Sequence, residues 1–358
     1  MVQPTLTNRS TKVRQSNFEL LRIVAMLFII AHHFVLYGET PDSTSTVNHM
    51  VYTVMYMGGK FGVNCFILIS GYFMLHSRFS SKKILKLVFE VMFFSVGVFL
   101  VICLFNPSEY FTKKNLIDSL LLFKANWFFT AYFILMLLSP ILNMIIAKLS
   151  KTSQQRLLIV FFVLFSVLGS FPYLGNTYVN HLNWFAYLYF LGAYIRQYSI
   201  PFLDKKRNSF ILFSVFYALG CVFQLCIEKF KWKEDDFEIR DDHSLFLFLA
   251  ALGLFMLFKN INIGSIKIIN LFASGTFAVY LIHDNHLMED VLWKDILNVK
   301  TLYDSAAFPV YAFLIIITIF VLCTLIDLLR QRLLEKPIFK LKFINKICAK
   351  IDNWYKLD

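Results

Sequence analysis

Long apolar blocks separated by short polar segments make up most of the chain. Ten of these blocks are candidate spans, at residues 18–38, 51–75, 84–105, 126–148, 156–174, 183–199, 209–228, 244–259, 268–287 and 306–329. A helical span needs about 20 mainly apolar residues, because only a helix satisfies its own backbone polar groups in lipid. The strands of a membrane barrel would instead alternate in hydrophobicity over short segments. The pattern therefore predicts an all-α polytopic membrane protein, a bundle of about ten transmembrane helices.

Composition agrees with this prediction. Of the 358 residues, 58% are hydrophobic and 16% are charged, whereas soluble domains carry about a quarter charged residues. The six cysteines lie mostly inside apolar blocks and form no Cys-x-x-Cys pair, so we interpret them as small core residues. No metal is expected.

The distribution of basic residues predicts the orientation. Most of the 35 lysines and arginines fall in alternate loops and in the C-terminal segment, which is the positive-inside pattern. This places both termini in the cytoplasm, and it argues against nucleic acid as the partner of a chain with net charge +12.

Three segments follow from this topology: a cytoplasmic N-terminal segment (1–17), a transmembrane domain (18–329) and a basic amphipathic cytoplasmic tail (330–358). The tail alternates Lys with Ile, Leu and Phe, which suits a helix lying on the anionic lipids of the inner leaflet.

The first span carries the most informative polar residues, in the segment NFELLRIVAMLFIIAHHF. Arg22 and His33 are eleven steps apart, which at 100° per residue is within about 20° of three full turns, so both lie on one face. They are roughly 16 Å apart along the axis, with Arg22 near the inner boundary and His33 near the outer one. Glu19 is placed to pair with Arg22, and His32 points about 100° away from His33. The alternative is an arginine that snorkels and an interfacial histidine.

Further polar residues inside spans are candidates for function, because such residues are costly in lipid. Lys60 and Asn64 are one turn apart in the second span, where they could bind substrate, stabilise an oxyanion or close a polar contact within the bundle. Ser70 precedes Gly71, and this pair favours close helix packing over a nucleophile.

Residues at the predicted outer ends of spans form a second group. His283, Asp284 and His286 lie at the outer end of the ninth span and suggest an acceptor-binding rim or a solvated loop rather than a metal site. Trp127 and Trp184 either anchor the chain at the interface or stack on sugar rings.

Several segments together resemble the membrane acyltransferase-3 family. The Arg22-(ten residues)-His33 spacing is similar to the signature of its first span. The segments GKFGVNCFILISGYFM (59–74), NWFFTAYFILMLLSPILN (126–143), YFLGAYIR (189–196) and SGTFAVYLIH (274–283) are similar to later family segments in the same order. The resemblance covers roughly residues 17–290. The sequence departs from the family in having HSRFSSKK (76–83) where an Arg-x-x-Arg element is usual, which leaves the donor contacts open, and in having no fused extracellular domain.

The resemblance implies a glycan O-acetyltransferase of the bacterial plasma membrane, of the capsule or exopolysaccharide type. The donor would be cytoplasmic acetyl-CoA, and the acceptor a hydroxyl of an exported or surface polysaccharide or lipid-linked glycan. His33 and Arg22 would be catalytic, with His33 acting as a general base or through an acetyl-histidine. Arg22, Lys82 and Lys83 would form a basic mouth for the anionic donor. The expected substrate contacts are Lys60, Asn64, Ser70, Trp127, Trp184, His283, Asp284 and His286.

Two other classes of multi-spanning protein that act on glycans are alternatives. A polysaccharide polymerase would carry a long Arg-rich outer loop, which the predicted topology lacks. A transporter or flippase for glycan precursors would favour two matching halves, and no internal repeat is seen. The sequence leaves three points open: which sugar is the acceptor, whether the acyl group is acetyl or succinyl, and whether the protein forms a homo-oligomer.

Overall fold

The computed structural model describes residues 14–38, 45–172, 179–233 and 237–355. Every regular element in these ranges is helical, which confirms the all-α prediction. Most of the predicted N-terminal segment, residues 1–13, lies outside the described residues.

The first half of the described chain forms nine α-helices. They are α1 (Ser16–Tyr37), α2 (Thr46–Tyr56), α3 (Gly58–Met74), α4 (Ser81–Phe105), α5 (Pro107–Tyr110), α6 (Lys113–Leu120), α7 (Leu122–Ala125), α8 (Trp127–Lys148) and α9 (Lys151–Phe161). A π-helical turn over Phe162–Val167 continues α9.

The second half forms nine more. They are α10 (His181–Tyr198), α11 (Lys206–Phe230), α12 (Leu245–Lys259), α13 (Lys267–Ala273), α14 (Thr276–His283), α15 (Met288–Asp290), α16 (Phe308–Arg330), α17 (Lys336–Ile338) and α18 (Lys342–Trp354). Short 3-10 turns at Pro201–Asp204 and Val299–Leu302, and π-helical turns at Val291–Ile296 and Gln331–Glu335, join some of them.

Six stretches of the described chain are long and apolar enough to cross a membrane: Ser16–Tyr37, Thr46–Met74, Ser81–Phe105, Trp127–Lys148, Lys206–Phe230 and Phe308–Ile338. Two apolar stretches, Leu245–Lys259 and Lys267–His283, are shorter. The chain is therefore a multi-pass membrane protein. The larger count of about ten spans stays a prediction, because some blocks fold as short or interrupted helices.

Glycines allow helices α3 and α10 to cross at close range. A methyl group on Gly71 of α3 would lie 2.2 Å from the carbonyl oxygen of Tyr189 in α10. A methyl group on Gly192 of α10 would in turn lie 2.5 Å from the carbonyl oxygen of Leu68. Small residues allow backbones to approach in this way, and such packing holds membrane helices together. The prediction that Ser70 and Gly71 allow close helix packing is confirmed for Gly71, which lies against the backbone of α10.

Both ends of the described chain lie at the same end of the bundle. Arg14 donates to the carbonyl oxygen of Asn270 at 3.1 Å, and Gln331, just beyond α16, donates to the carbonyl oxygen of Ser274 at 3.3 Å. Helix α18 contacts the first residue of α4, Ser81. We refer to this end as the terminal end and to the opposite one as the distal end. The predicted cytoplasmic face corresponds to the terminal end.

A buried ionic network joins α16 to α4 near the terminal end. The Arg330 guanidinium lies 2.7 Å from Asp327, 3.0 Å from Glu335 and 3.4 Å from Glu90. Lys86 adds a contact of 2.7 Å to Glu335. Buried charges are tolerated when they are paired in this manner, and the network holds α4 beside the cavity described below.

Candidate active site

One face of helix α1 carries polar side chains at its two ends and apolar side chains between them. Arg22 pairs with Glu19 at 2.9 Å near the terminal end, as its spacing predicts. Met26 and Ile29 follow Arg22 on the same face and line a cavity of about 270 Å³. His33 comes one turn after Ile29 on this face, so the cavity leads along α1 from Arg22 towards His33.

His33 lies in a compact polar cluster at the distal end. Its Nδ1 is 2.9 Å from Nε2 of His283, and its Nε2 is 3.3 Å from Oδ1 of Asp284. Tyr37 stacks on the His33 ring and donates its hydroxyl proton to Asp284 at 2.8 Å. The structure thus brings together three residues that the sequence placed at the outer boundary, although His33 and His283 are 250 residues apart in the chain.

Hydrogen bonding determines which nitrogen of His33 is reactive. Nδ1 of His283 contacts the carbonyl oxygen of Val279, and a carbonyl only accepts, so this nitrogen carries the proton of the neutral ring. Nε2 of His283 is then an acceptor and receives the proton on Nδ1 of His33. In its neutral form His33 therefore has its lone pair on Nε2, beside the carboxylate of Asp284.

His32 has a different environment. Its Nδ1 donates to the carbonyl oxygen of Tyr56, and its ring packs so closely on Gly59 that a methyl group there would lie 2.4 Å away. These contacts turn His32 towards α2 and α3. The spacing from Arg22 favours His33 over His32 as the functional histidine, and these contacts of His32 agree with that preference.

A second cavity, of about 240 Å³, opens towards the terminal end. It shares Arg22, Ser70 and Tyr132 with the first cavity, and Arg78 and Lys83 also line it. These shared residues make the two cavities neighbours, and their volumes together fall within the range of a small-molecule site, which is about 300–1,000 Å³. Three cationic side chains thus surround the entrance.

The two adjacent lysines of the 76–83 segment have different positions. Lys83 lines the second cavity, whereas Lys82 donates to Oδ1 of Asn345 in α18 at 2.6 Å. Ser70 donates to the carbonyl oxygen of Phe66 at 2.9 Å and lies 3.2 Å from the hydroxyl of Tyr132. Ser70 therefore contributes a wall of both cavities, and no base stands beside it among the described residues.

Tyr280 marks the boundary between the first cavity and the His33 cluster. It lines the cavity, lies one turn before Asp284 and interacts with that carboxylate. Its ring centroid is 6.4 Å from that of His283. Tyr280 therefore contacts both the first cavity and the His33 cluster.

Asn64 and Trp184 belong to the interior of the distal half. Asn64 accepts from Nε1 of Trp184 at 2.9 Å and donates to the carbonyl oxygen of Asp242 at 2.7 Å. Both side chains have 0% exposure. A side chain without exposed surface offers no face to a sugar, which corrects the interpretation of Trp184 as a stacking platform. Asn64 closes a polar contact, one of the alternatives considered for it.

Lys60 and Trp127 lie at the rim of the same region. The ammonium of Lys60 is 3.7 Å from the centroid of the Trp127 ring, and the ring of His181 is 4.3 Å from that centroid. A cation over an indole face is a favourable contact. The side chains of Lys60 and His181 therefore already cover the Trp127 ring. Lys60 is partly exposed, so its ammonium is the polar group at the rim.

His181, Asp242 and His243 form an ionic cluster that the sequence did not reveal, because these residues appeared only as loop positions. Asp242 lies 2.8 Å from His181 and 3.5 Å from His243. Burial alone would raise the pKa of Asp242, but hydrogen bonds from both histidines hold it below its usual value. The cluster holds the segment before α12 against α10.

His286 lies apart from His33. It lines a polar cavity of about 530 Å³ with Asp118 and Asp290, and burial lowers the pKa of its imidazole. Among the described residues its Nε2 has no hydrogen-bond partner. Of the three residues predicted to form an outer rim, His283 and Asp284 therefore join the His33 cluster and His286 does not.

Comparison with known proteins identifies the family. The acyltransferase domain family Acyl_transf_3 matches residues 15–328, which include the His33 cluster and every side chain that lines the two cavities except Arg14. No curated protein and no solved structure matched the chain.

Proposed function

We propose a specific reaction for this chain, which belongs to the acyltransferase-3 family and is a multi-pass membrane acyltransferase. The reaction is transfer of an acetyl or other short acyl group from cytoplasmic acyl-CoA to a hydroxyl of an exported or surface polysaccharide, as in capsule or exopolysaccharide synthesis. The membrane is the bacterial plasma membrane. The observation that carries the proposal is the continuous face of α1, with cations and a cavity at one end and an oriented histidine at the other.

The terminal end suits the donor. Acyl-CoA is anionic at its nucleotide end, and Arg22, Arg78 and Lys83 surround the entrance of the cavities. Arginine and lysine side chains bind phosphate groups strongly. The thioester, on its long flexible arm, would extend along Met26 and Ile29 towards His33, through a mainly apolar passage that excludes competing water.

The distal end suits the chemistry. Nε2 of His33 takes the proton of the attacking hydroxyl while the hydroxyl oxygen forms a bond to the thioester carbonyl carbon. The carbon–sulfur bond then breaks, and coenzyme A leaves as a thiolate that takes up the proton held by His33, which returns His33 to its neutral form. Asp284 stabilises the imidazolium that forms on His33, because it lies 3.3 Å from Nε2. The same nitrogen would also be the nucleophile of a route through acetyl-histidine.

The acceptor approaches from the distal rim. Lys60 lies there with a partly exposed ammonium against Trp127, where it can donate hydrogen bonds to sugar hydroxyls or carboxylates. Lys60 follows Gly59, which packs against the ring of His32, the neighbour of His33.

The test is glycan acetylation in membranes supplied with labelled acetyl-CoA, comparing the intact protein with His33→Ala and with His32→Ala at equal protein level. We expect an alkali-labile labelled ester in the intact protein that disappears with His33→Ala and persists with His32→Ala. Label trapped on the protein when no acceptor is present would distinguish the acetyl-histidine route from direct transfer. No acyl-CoA-dependent ester with any short acyl donor would overturn the proposal.

A further inference from the structure

Helix α18 has three distinct faces. Cys348 is buried, and Asp352 and Tyr355 on the same side are half-buried against the protein. An apolar stripe is exposed next to this face, formed by Phe343, Ile347, Ile351 and Trp354. Successive residues turn by 100°, so Lys342, Lys346 and Lys350 border the other edge of that stripe, and Ala349 points away from it.

The inward face of α18 closes the start of α4. Oδ1 of Asp352 accepts the backbone N–H of Ser81 at 2.6 Å, and the carbonyl oxygen of Cys348 accepts the Ser81 hydroxyl at 3.0 Å. The side chain of Ser80, the residue before α4, makes no capping bond of its own. Asp352 therefore supplies the anionic cap that a helix N-terminus favours.

This cap is next to the donor entrance. Arg78, Phe79 and Lys83, on either side of Ser81, line the second cavity. The Phe79 ring lies 4.3 Å from that of Tyr355, and Tyr355 donates to the carbonyl oxygen of Leu137 in α8 at 2.7 Å. Helix α18 thus ties the cation-bearing segment 78–83 to a spanning helix.

The exposed faces of α18 match an anionic bilayer surface. Trp354 is 83% exposed and Phe343 is 73% exposed, and large apolar side chains with lysines along one edge are the pattern of a helix lying in the lipid interface. Tryptophan prefers this depth, and each nearby lysine is attracted by anionic lipid headgroups. The stripe lies between the lysines and the protein, so it can enter the bilayer while the inward face keeps its contacts.

We propose that α18 is a lipid-bound strap for the donor site. Its apolar stripe and lysines bind anionic lipid of the leaflet at the terminal end, and Asp352 then holds Arg78 and Lys83 where they bind the donor. Asp352 is a positioning residue, since it acts through Ser81. The inference rests on the proposed function for the identity of the donor, but not for the binding of lipid.

The test uses the full-length protein in bilayer discs of phosphatidylcholine, with or without phosphatidylglycerol. We expect phosphatidylglycerol to lower the KM for acetyl-CoA several-fold with little change in kcat. Trp354→Glu should abolish this dependence, whereas Ala349→Glu, which adds the same charge to the solvent face, should preserve it. Asp352→Ala should raise KM about tenfold in both lipids, the size expected when a charged capping contact is lost.

A second measurement does not depend on activity. Brominated lipids should quench the fluorescence of Trp354, measured as the difference between the intact protein and Trp354→Phe. Absence of this quenching, or a KM that is equal in both lipids, would overturn the strap even if the enzyme is active. Quenching in a protein without any acyl-CoA turnover would instead preserve the lipid contact and refute the proposed function.

Discussion

The orientation of His33 by His283 leads to a specific mutational prediction. In the structure, Nε2 of His283 accepts the proton on Nδ1 of His33, which leaves the lone pair of His33 on the nitrogen beside Asp284. His283→Phe keeps a ring of similar size against Trp293, whose ring centroid lies 6.3 Å away, but it removes the acceptor. His33 then loses the contact that selects its reactive tautomer.

The size of the effect follows from the cost of an unpaired buried donor. His283 has 0% exposure, so water does not replace its Nε2 readily, and a buried N–H without a partner costs about 1–3 kcal/mol. His33 avoids this cost by moving the proton to Nε2, towards Asp284. Because about 1.4 kcal/mol corresponds to a factor of ten in rate, kcat should fall about 5- to 150-fold. The KM for acyl-CoA should stay unchanged, since the donor cations lie at the opposite end of α1.

Steady-state kinetics at saturating acceptor measure both parameters. His283→Gln is the matched variant, because its amide oxygen can accept from Nδ1 of His33, and it should recover part of the lost kcat. Equal melting temperatures of the two variants would exclude a general loss of folding. Full kcat in His283→Phe, or a glutamine variant no better than phenylalanine, would refute the assigned tautomer.

Three further predictions concern other parts of the molecule. Tyr280→Trp should narrow the passage to His33 and lower kcat by about 100-fold, the cost of displacing reacting groups by about 1 Å, while equilibrium binding of acyl-CoA persists. Gly71→Ala should destabilise the protein by about 1–3 kcal/mol through overpacking, seen as a lower melting temperature, whereas Gly97→Ala should not, because a methyl group there meets no atom within 4 Å. Burial alone would lower the pKa of His243, but the hydrogen bond and charge of Asp242 raise it above its usual value. The protonated imidazole therefore stabilises the fold fully below about pH 6.5, the pKa of an unfolded histidine, and this stabilisation is lost as the pH rises through the raised pKa of the folded protein. The melting temperature should therefore fall as pH rises above about 6.5, and His243→Gln should remove that part of the fall.

Local sequence rules predicted contacts within one helix well. The pairing of Glu19 with Arg22 follows from a separation of three residues and is present at 2.9 Å. The common face of Arg22 and His33 likewise follows from the helical repeat. Tyr37 was missed, although its position four residues after His33 places it on that face as well.

Contacts between distant segments could not be predicted in the same way. His283 and Asp284 were expected near the outer boundary, but their partnership with His33 depends on how α14 packs beside α1. The adjacent lysines show the limit most clearly. Periodicity separates Lys82 from Lys83 by 100°, yet only the position of α18 determines that Lys82 meets Asn345 while Lys83 faces the cavity.

Hydropathy also could not locate interruptions within apolar blocks. The ninth block reads as one span, but α13 and α14 are separated at Ser274 and Gly275. A window average responds to composition and is insensitive to the backbone hydrogen bonds that end a helix. The fold class was therefore more predictable than the number of spans.

The ionic network of α16 has a consequence for how the protein is made. Asp327 and Arg330 are three residues apart on one helix and already in contact at 2.7 Å, so the pair can neutralise itself before any other helix arrives. An isolated charge costs about 2.5–3.5 kcal/mol at the centre of an inserting helix, and an internal pair near its end reduces that penalty. The last span can therefore leave the insertion machinery as an independent unit, and the contact between Arg330 and Glu90 closes the bundle afterwards. Helix insertion would then precede assembly of the bundle. Glu90 of α4 would pair with Arg330 only after α16, which is synthesised more than 200 residues later, has entered the membrane.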